Sequence, residues 1–301
     1  MKRVILFILV FMAVILTGLR SAPAQQVLYG ANGAAGNLAS LMIIDPDTAQ
    51  VQRVIGPIGY SVTGLAFAPD GTLYGVTTCK DPNCPRCLIR IDTETGAGTV
   101  IGDMGNDADD NVADISFSPA GVLYGWAEPS YDDLVTIDTT TGTATLVGDS
   151  NLSTFGSGLA FAPDGTLYLA GDGDNGNFYT IDPTTGLPTG SVTLDGMQDY
   201  SIGGLAVNES GTIYGARKLS WEGGPANDLI TIDPITGHIT SIGIITYNGK
   251  PVEHFDSIAF SPPPPAAPTA VPTLSQWGMI ILSLLLAGIA IFVLRRRLHV
   301  S

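Results

Sequence analysis

The stretch Gly64-Leu-Ala-Phe-Ala-Pro-Asp-Gly-Thr-Leu-Tyr-Gly75 decides the fold, because most of the remaining chain is this unit repeated. It returns as Asp114-Ile-Ser-Phe-Ser-Pro-Ala-Gly-Val-Leu-Tyr-Gly125, as Gly158-Leu-Ala-Phe-Ala-Pro-Asp-Gly-Thr-Leu-Tyr168 and, degraded, as Gly204-Leu-Ala-Val-Asn-Glu-Ser-Gly-Thr-Ile-Tyr-Gly215. Half-copies bracket the set: Leu28-Tyr-Gly30 has only the second half, Ser257-Ile-Ala-Phe-Ser-Pro262 only the first. A second phrase follows each tyrosine, as in Ile91-Asp-Thr-Glu-Thr-Gly96 and Ile181-Asp-Pro-Thr-Thr-Gly186. The tyrosines at 29, 74, 124, 168 and 214 recur every 44 to 50 residues. That period marks a repeat architecture and fits four short strands per unit.

Within a unit, apolar and small residues alternate and are broken by Gly, Pro, Asp and Asn, a period of two that means strands. Pro69-Asp-Gly71 sets a tight A–B turn, and Asp182-Pro-Thr-Thr-Gly186 is a C–D turn of a second kind. The strands of the second unit read A (Gly64–Ala68), B (Thr72–Val76), C (Leu88–Asp92) and D (Gly98–Ile101). In an antiparallel meander the repeated A–B and C–D turns share one face. The B–C and D–A loops, which hold all the length variation, share the other, and such loops on a rigid scaffold carry binding residues. Five such units predict an all-β fold, a five-bladed β-propeller of four-stranded antiparallel blades. The half-copies predict closure, with strand A at Ser257–Ser261 completing the blade that begins at Val27.

Both ends of the chain are something else. Residues 1–24 combine Lys2, Arg3, an apolar run and Ala22-Pro-Ala24, which reads as a signal peptide cleaved between Ala24 and Gln25. The propeller then occupies 25–261, and 262–270 is a Pro-rich stalk of extended conformation. From Trp277 to Leu294 the chain is uncharged and largely apolar, roughly 27 Å as a helix and enough to span a bilayer. Arg295, Arg296 and Arg297 follow and would stay cytoplasmic.

All 28 acids but only seven of the thirteen Lys and Arg fall in the repeat region, leaving it near −21. A surface of that sign repels phosphate backbones and excludes nucleic acid as a partner.

Val271-Pro-Thr-Leu-Ser-Gln-Trp-Gly278, with the apolar run and arginines behind it, resembles the IPTLxxWG-CTERM sorting signal of Gram-negative bacteria. Pro272, Thr273, Leu274, Trp277 and Gly278 occupy motif positions, and Val271 replaces the leading Ile. The resemblance covers 271–301. It implies a membrane-embedded exosortase as processing partner, an inner-membrane anchor before sorting, and then the cell surface or medium. The repeat units are similar to those of secreted bacterial propeller proteins, a likeness that carries architecture and no chemistry.

Candidate sites are few. Cys79, Cys84 and Cys87 share one B–C loop; one disulfide is expected, its pairing open, with a metal site as the alternative reading that lacks a fourth ligand. Asp107, Asp109 and Asp110 lie beside Asp103 in an acidic D–A loop, where Ca²⁺ is the candidate cofactor and a solvated loop the competing reading. Asp114 stands where other units have Gly64, Gly158 or Gly204, and with Glu253 and Asp256 it offers the carboxylates a glycoside hydrolase would need. No Gly-x-Ser-x-Gly elbow, phosphate-binding glycine loop or His cluster is present. The expectation is therefore a non-catalytic binding or scaffold module of the cell envelope, its surface ligand a protein or a glycan. Trp126, Tyr131 and Trp221 are its candidate contact aromatics, and a polysaccharide hydrolase is the alternative.

Overall fold

The computed structural model describes residues 26–33, 36–105, 111–128, 132–172, 176–197, 200–219, 227–263 and 274–298. Residues Gln25–Pro263 form one compact unit. Alternating side chains and turn residues split it into five four-stranded antiparallel sheets. The first is β1 (Leu28–Asn32), β2 (Ser40–Ile44) and β3 (Val51–Pro57), completed by β22 (Phe255–Phe260) from the far end of the domain. The second is β4 (Val62–Phe67), β5 (Leu73–Thr77), β6 (Cys87–Ile91) and β7 (Gly98–Asp103). The third holds β8 (Asn111–Phe117), β9 (Leu123–Glu128), β10 (Asp133–Ile137) and β11 (Ala144–Asp149). The fourth holds β12 (Phe155–Phe161), β13 (Leu167–Asp172), β14 (Asn177–Ile181) and β15 (Pro188–Thr193). The fifth is β16 (Tyr200–Val207), β17 (Ile213–Leu219), β18 (Asp228–Ile232) and β19 (Ile239–Ile244).

The inner strands β4, β8, β12, β16 and β22 touch in that cyclic order, and β22 returns to β4. This closes a five-bladed β-propeller. Five apolar clusters fill the spaces between adjacent blades; Leu65, Leu73 and Ile89 meet Leu41 and Ile58 in one, and Leu205, Ile213 and Ile230 meet Ala170 and Phe178 in another.

The repeated Phe and Tyr explain how neighbouring blades lock. Four of the five second-strand tyrosines pack on the Phe of the next blade's inner strand: Tyr29 on Phe67, Tyr74 on Phe117, Tyr124 on Phe161 and Tyr214 on Phe260, with centroids 5.1 to 5.5 Å apart. Such tilted pairs add about 0.5–1.5 kcal/mol each beyond burial. Val207 breaks the belt, and there Tyr168 stacks on Phe178 of its own blade instead.

The C–D turns form the second lock. Asp92 Oδ1 accepts the N–H groups of Glu94 and Thr95, and Gly96 N–H closes the turn on the Asp92 carbonyl. Gly96 has φ +84°, and a Cβ there would lie 2.6 Å from the Gly56 carbonyl of the neighbouring blade. Gly142 meets Gly102 and Gly186 meets Gly148 at the same distance.

Closure falls where the half-copies place it: Leu28 pairs with Phe260 and Gly30 with Ile258. One element departs from expectation. The last D–A loop contains a hairpin, β20 (Thr246–Tyr247) and β21 (Lys250–Pro251), that bridges from Thr246 to Gln50 of the first blade.

Outside the propeller, α1 (Leu274–Leu298) is a 25-residue helix. Ile281–Val293 is exposed along its length, about 20 Å of helix. The predicted span Trp277–Leu294 includes positions 277, 279, 280 and 294, whose side chains lie outside the described set. Among the described residues, no helix is long and apolar enough to cross a membrane.

Candidate functional site

The inner strands set the chemistry of the channel. Ala68, Ser118, Ala162, Asn208 and Ser261 donate their N–H groups outward, toward the second strand of each blade. In an antiparallel ladder alternate residues point the other way, so the N–H groups of Leu65, Ile115, Leu159 and Leu205 face the axis. In β8 the register slips between Val112 and Ile115, a bulge that aims Asp114 inward.

Asp114 is fully buried. Its Oδ1 accepts Ile115 N–H at 2.9 Å, and its Oδ2 accepts Leu159 N–H at 3.0 Å and Leu205 N–H at 3.1 Å. One carboxylate thus ties the inner strands of three blades together, β8, β12 and β16. Burial pushes its carboxyl well above the usual range, against the opposing pull of these donors. A Cβ at Gly64 would sit 2.8 Å from Asp114, which accounts for glycine on the adjacent inner strand. Beyond the plug the turn-side mouth is a cavity of about 120 Å³, lined by the inner strands of all five blades.

Of the other hydrolase candidates, the one with a described side chain, Glu253, does not join buried Asp114. Glu253 is exposed at the edge of the propeller, and Asp256 lies in β22 with its side chain outside the described set. Asp103 is exposed and accepts Gly105 N–H; Asp107, Asp109 and Asp110 lie outside the described residues. Among the described residues no group of three His, Cys, Asp or Glu could hold a metal ion. Cys84 and Cys87 form the disulfide, leaving Cys79 an exposed thiol. Trp126 corrects the reading of contact aromatics. It pairs with Leu134 inside its sheet, is fully buried, and donates Nε1–H to Thr154 Oγ1 at 2.9 Å, whose hydroxyl in turn donates to Asp132. Tyr131 and Trp221 lie outside the described residues.

The variable face does hold one ligand-sized concavity. The loop between β1 and β2 and the β20–β21 hairpin enclose about 520 Å³, within the size range of small-molecule sites. The hairpin turns at Asn248 and Gly249, both with positive φ, as the Asn-Gly pair prefers. It is held by Thr246 N–H on the Ala49 carbonyl and Val252 N–H on the Ile245 carbonyl. The facing loop is fixed by Gly33 N–H on the His254 carbonyl and Ser40 N–H on Asn32 Oδ1. Leu38 and Tyr247 give an exposed apolar wall, while Asn37, Lys250, Glu253 and His254 supply polar groups. Asn248-Gly249 was the available signal for this site; the strands it joins are only two residues long and carry no periodicity.

Comparison with known proteins adds a fold and a signal. A protein of unknown function from Bacteroides thetaiotaomicron VPI-5482 superposes with a TM-score of 0.51 at 17% identity, covering 80% of this chain and 66% of that one. Another, from Bacteroides caccae, gives 0.50 at 14% identity, covering 80% and 99%. Hydrazine synthase from Kuenenia stuttgartiensis gives 0.40 at 18% identity over 60% of this chain, which spans about half (47%) of that protein's length. At these identities the likeness is one of fold. No curated protein matches the chain. Residues 269–297 match the IPTL-CTERM motif, which implies processing by exosortase-type machinery and marks a secreted or surface-sorted protein. The chain is a five-bladed β-propeller that carries an IPTL-CTERM sorting signal at its C-terminal end.

Proposed function

We propose that this protein is a binding module of the Gram-negative cell envelope that works without catalysis, through the groove on its variable face. The observation that carries the reading is the use of Asp114: the channel carboxylate is occupied by backbone donors of three blades. Among the described residues, the groove beside the hairpin is a concavity of ligand size. The reading needs no cofactor. It places Trp277–Leu294 across the inner membrane with Arg295–Arg297 cytoplasmic, until the exosortase removes the tail and the propeller passes to the surface.

Two experiments test the two halves. Pro272→Ala and Trp277→Ala should leave the propeller folded but hold the full-length chain in the membrane fraction; processing unchanged from the parent overturns the sorting half. For the binding half, cells displaying the parent are compared with cells whose Thr246–Pro251 hairpin is cut to a Gly-Gly link, against a labelled panel of extracellular polymers and proteins. Binding by the parent that is lost in the variant supports the groove. Equal behaviour of the two against every probe overturns it.

A further inference from the structure

We infer that the groove takes a carboxylate-bearing sugar, a uronic acid unit of an extracellular glycan; this rests on the binding reading above. Charge points to the anion. Over a domain near −21 an anionic ligand is repelled almost everywhere, so it settles only where cations stand without acid partners. Among the described residues the ion pairs are Arg217 with Asp228 and His238 with Asp195. Lys250 in the groove has no such partner. Nor does exposed Lys80, whose backbone lies against Gly36 next to the groove residue Asn37.

Shape and surface chemistry point to the sugar. Tyr247 is 40% exposed beside Leu38 at 55%, an aromatic face and an apolar edge of the kind that cover the C–H face of a pyranose. Glu253 stands in the same groove, an acceptor suited to ring hydroxyls. Glu253 also weighs against denser anions such as phosphates, which carry more charge per volume than a single carboxylate. An acidic peptide fits less well. It would seek a free strand edge, and the hairpin offers two-residue strands with Pro251 in one of them.

The test is calorimetric titration of the full-length chain with a galacturonate tetramer, a neutral glucose tetramer and a poly-glutamate peptide, at low and high salt. The uronate should bind best and weaken with salt. Lys250→Ala should weaken it about three- to tenfold while leaving the neutral sugar unaffected, and Lys250→Arg should restore it. Tyr247→Ala should weaken both sugars about tenfold. Both side chains are exposed, so melting temperatures should stay at the parent value. Equal binding of uronate and neutral sugar, or indifference to Lys250→Ala, overturns the inference. Tighter binding of poly-glutamate overturns the sugar while leaving the groove as a binding site. Silence from all three probes overturns the inference, and the hairpin comparison then decides separately whether the binding reading falls with it.

Discussion

Asp114 shows how a single residue can be conspicuous in a sequence while the groups that meet it stay hidden. Against Gly64, Gly158 and Gly204 at equivalent positions it stands out as a charge on the axis, and a charge on an axis suggests chemistry. What a sequence cannot display is the set of backbone N–H groups that turn inward from three different blades to meet it. Their direction follows from ladder parity and their convergence from closure, both products of the whole ring. Asp114→Asn keeps one accepting oxygen and turns the other into a donor facing donors. At least one buried N–H group is orphaned, and the loss should be about 1–3 kcal/mol by urea denaturation. The pH dependence has a definite sign. A carboxyl whose folded value lies above its unfolded value adds stability that is complete below the ordinary carboxylate range and is lost as pH rises through the raised value. The gap between parent and Asp114→Asn should therefore widen on acidification from neutral toward pH 4. A gap that narrows would mean that the backbone donors outweigh burial.

At the scale of elements, the turns were readable because their causes are local, while the hairpin and Trp126 were not. Trp126 sits at the end of a strand beside a variable loop, and only the pairing with Leu134 turns it into the core. The C–D turns contain both cases at once. Asp92, Asp138, Asp182 and Asp233 were legible as turn acceptors, and their carboxyls are indeed held below the ordinary value. The Thr95 N–H does this for Asp92, the Thr140 hydroxyl for Asp138, the Thr184 hydroxyl for Asp182 and the Ile235 N–H for Asp233. The closing glycines have a second reason that no single unit displays, the backbone of the neighbouring blade. Gly142→Ala meets positive φ and the Gly102 carbonyl together, and should cost about 2–4 kcal/mol in thermal or urea unfolding. Ala49 holds the equivalent place in the first blade at φ +58°, buried and facing Gly243 of the last blade. Ala49→Gly should change stability by less than about 1 kcal/mol, since relief of the left-handed backbone is offset by lost burial and added chain entropy.

For the whole molecule, the decisive fact is where closure lies relative to the processing sites. Phe260 packs on Tyr214 of the last blade while its strand pairs with β1 of the first. Ser261 donates its N–H to the Val27 carbonyl, accepts Val27 N–H on its hydroxyl, and its carbonyl takes the Gln26 amide. Gln26 Oε1 in turn accepts Glu209 N–H from the last blade. The latch therefore runs from Gln26 to Ser261. The expected signal cleavage after Ala24 stops just before it, and the sorting motif at 269–297 begins just after it. Neither cut touches a residue that closes the ring, so maturation should release a propeller already in its final form. A chain ended at Pro263 should melt within about 2 °C of the full-length protein, a shift equivalent to under 1 kcal/mol for a domain of this size. Phe260→Ala in either background should lower stability by about 2–4 kcal/mol, because it removes an aromatic contact that joins first and last blades. If the shortened chain instead melts well below its parent, the tail contributes to closure and its removal at the surface becomes a conformational event as well as a sorting one.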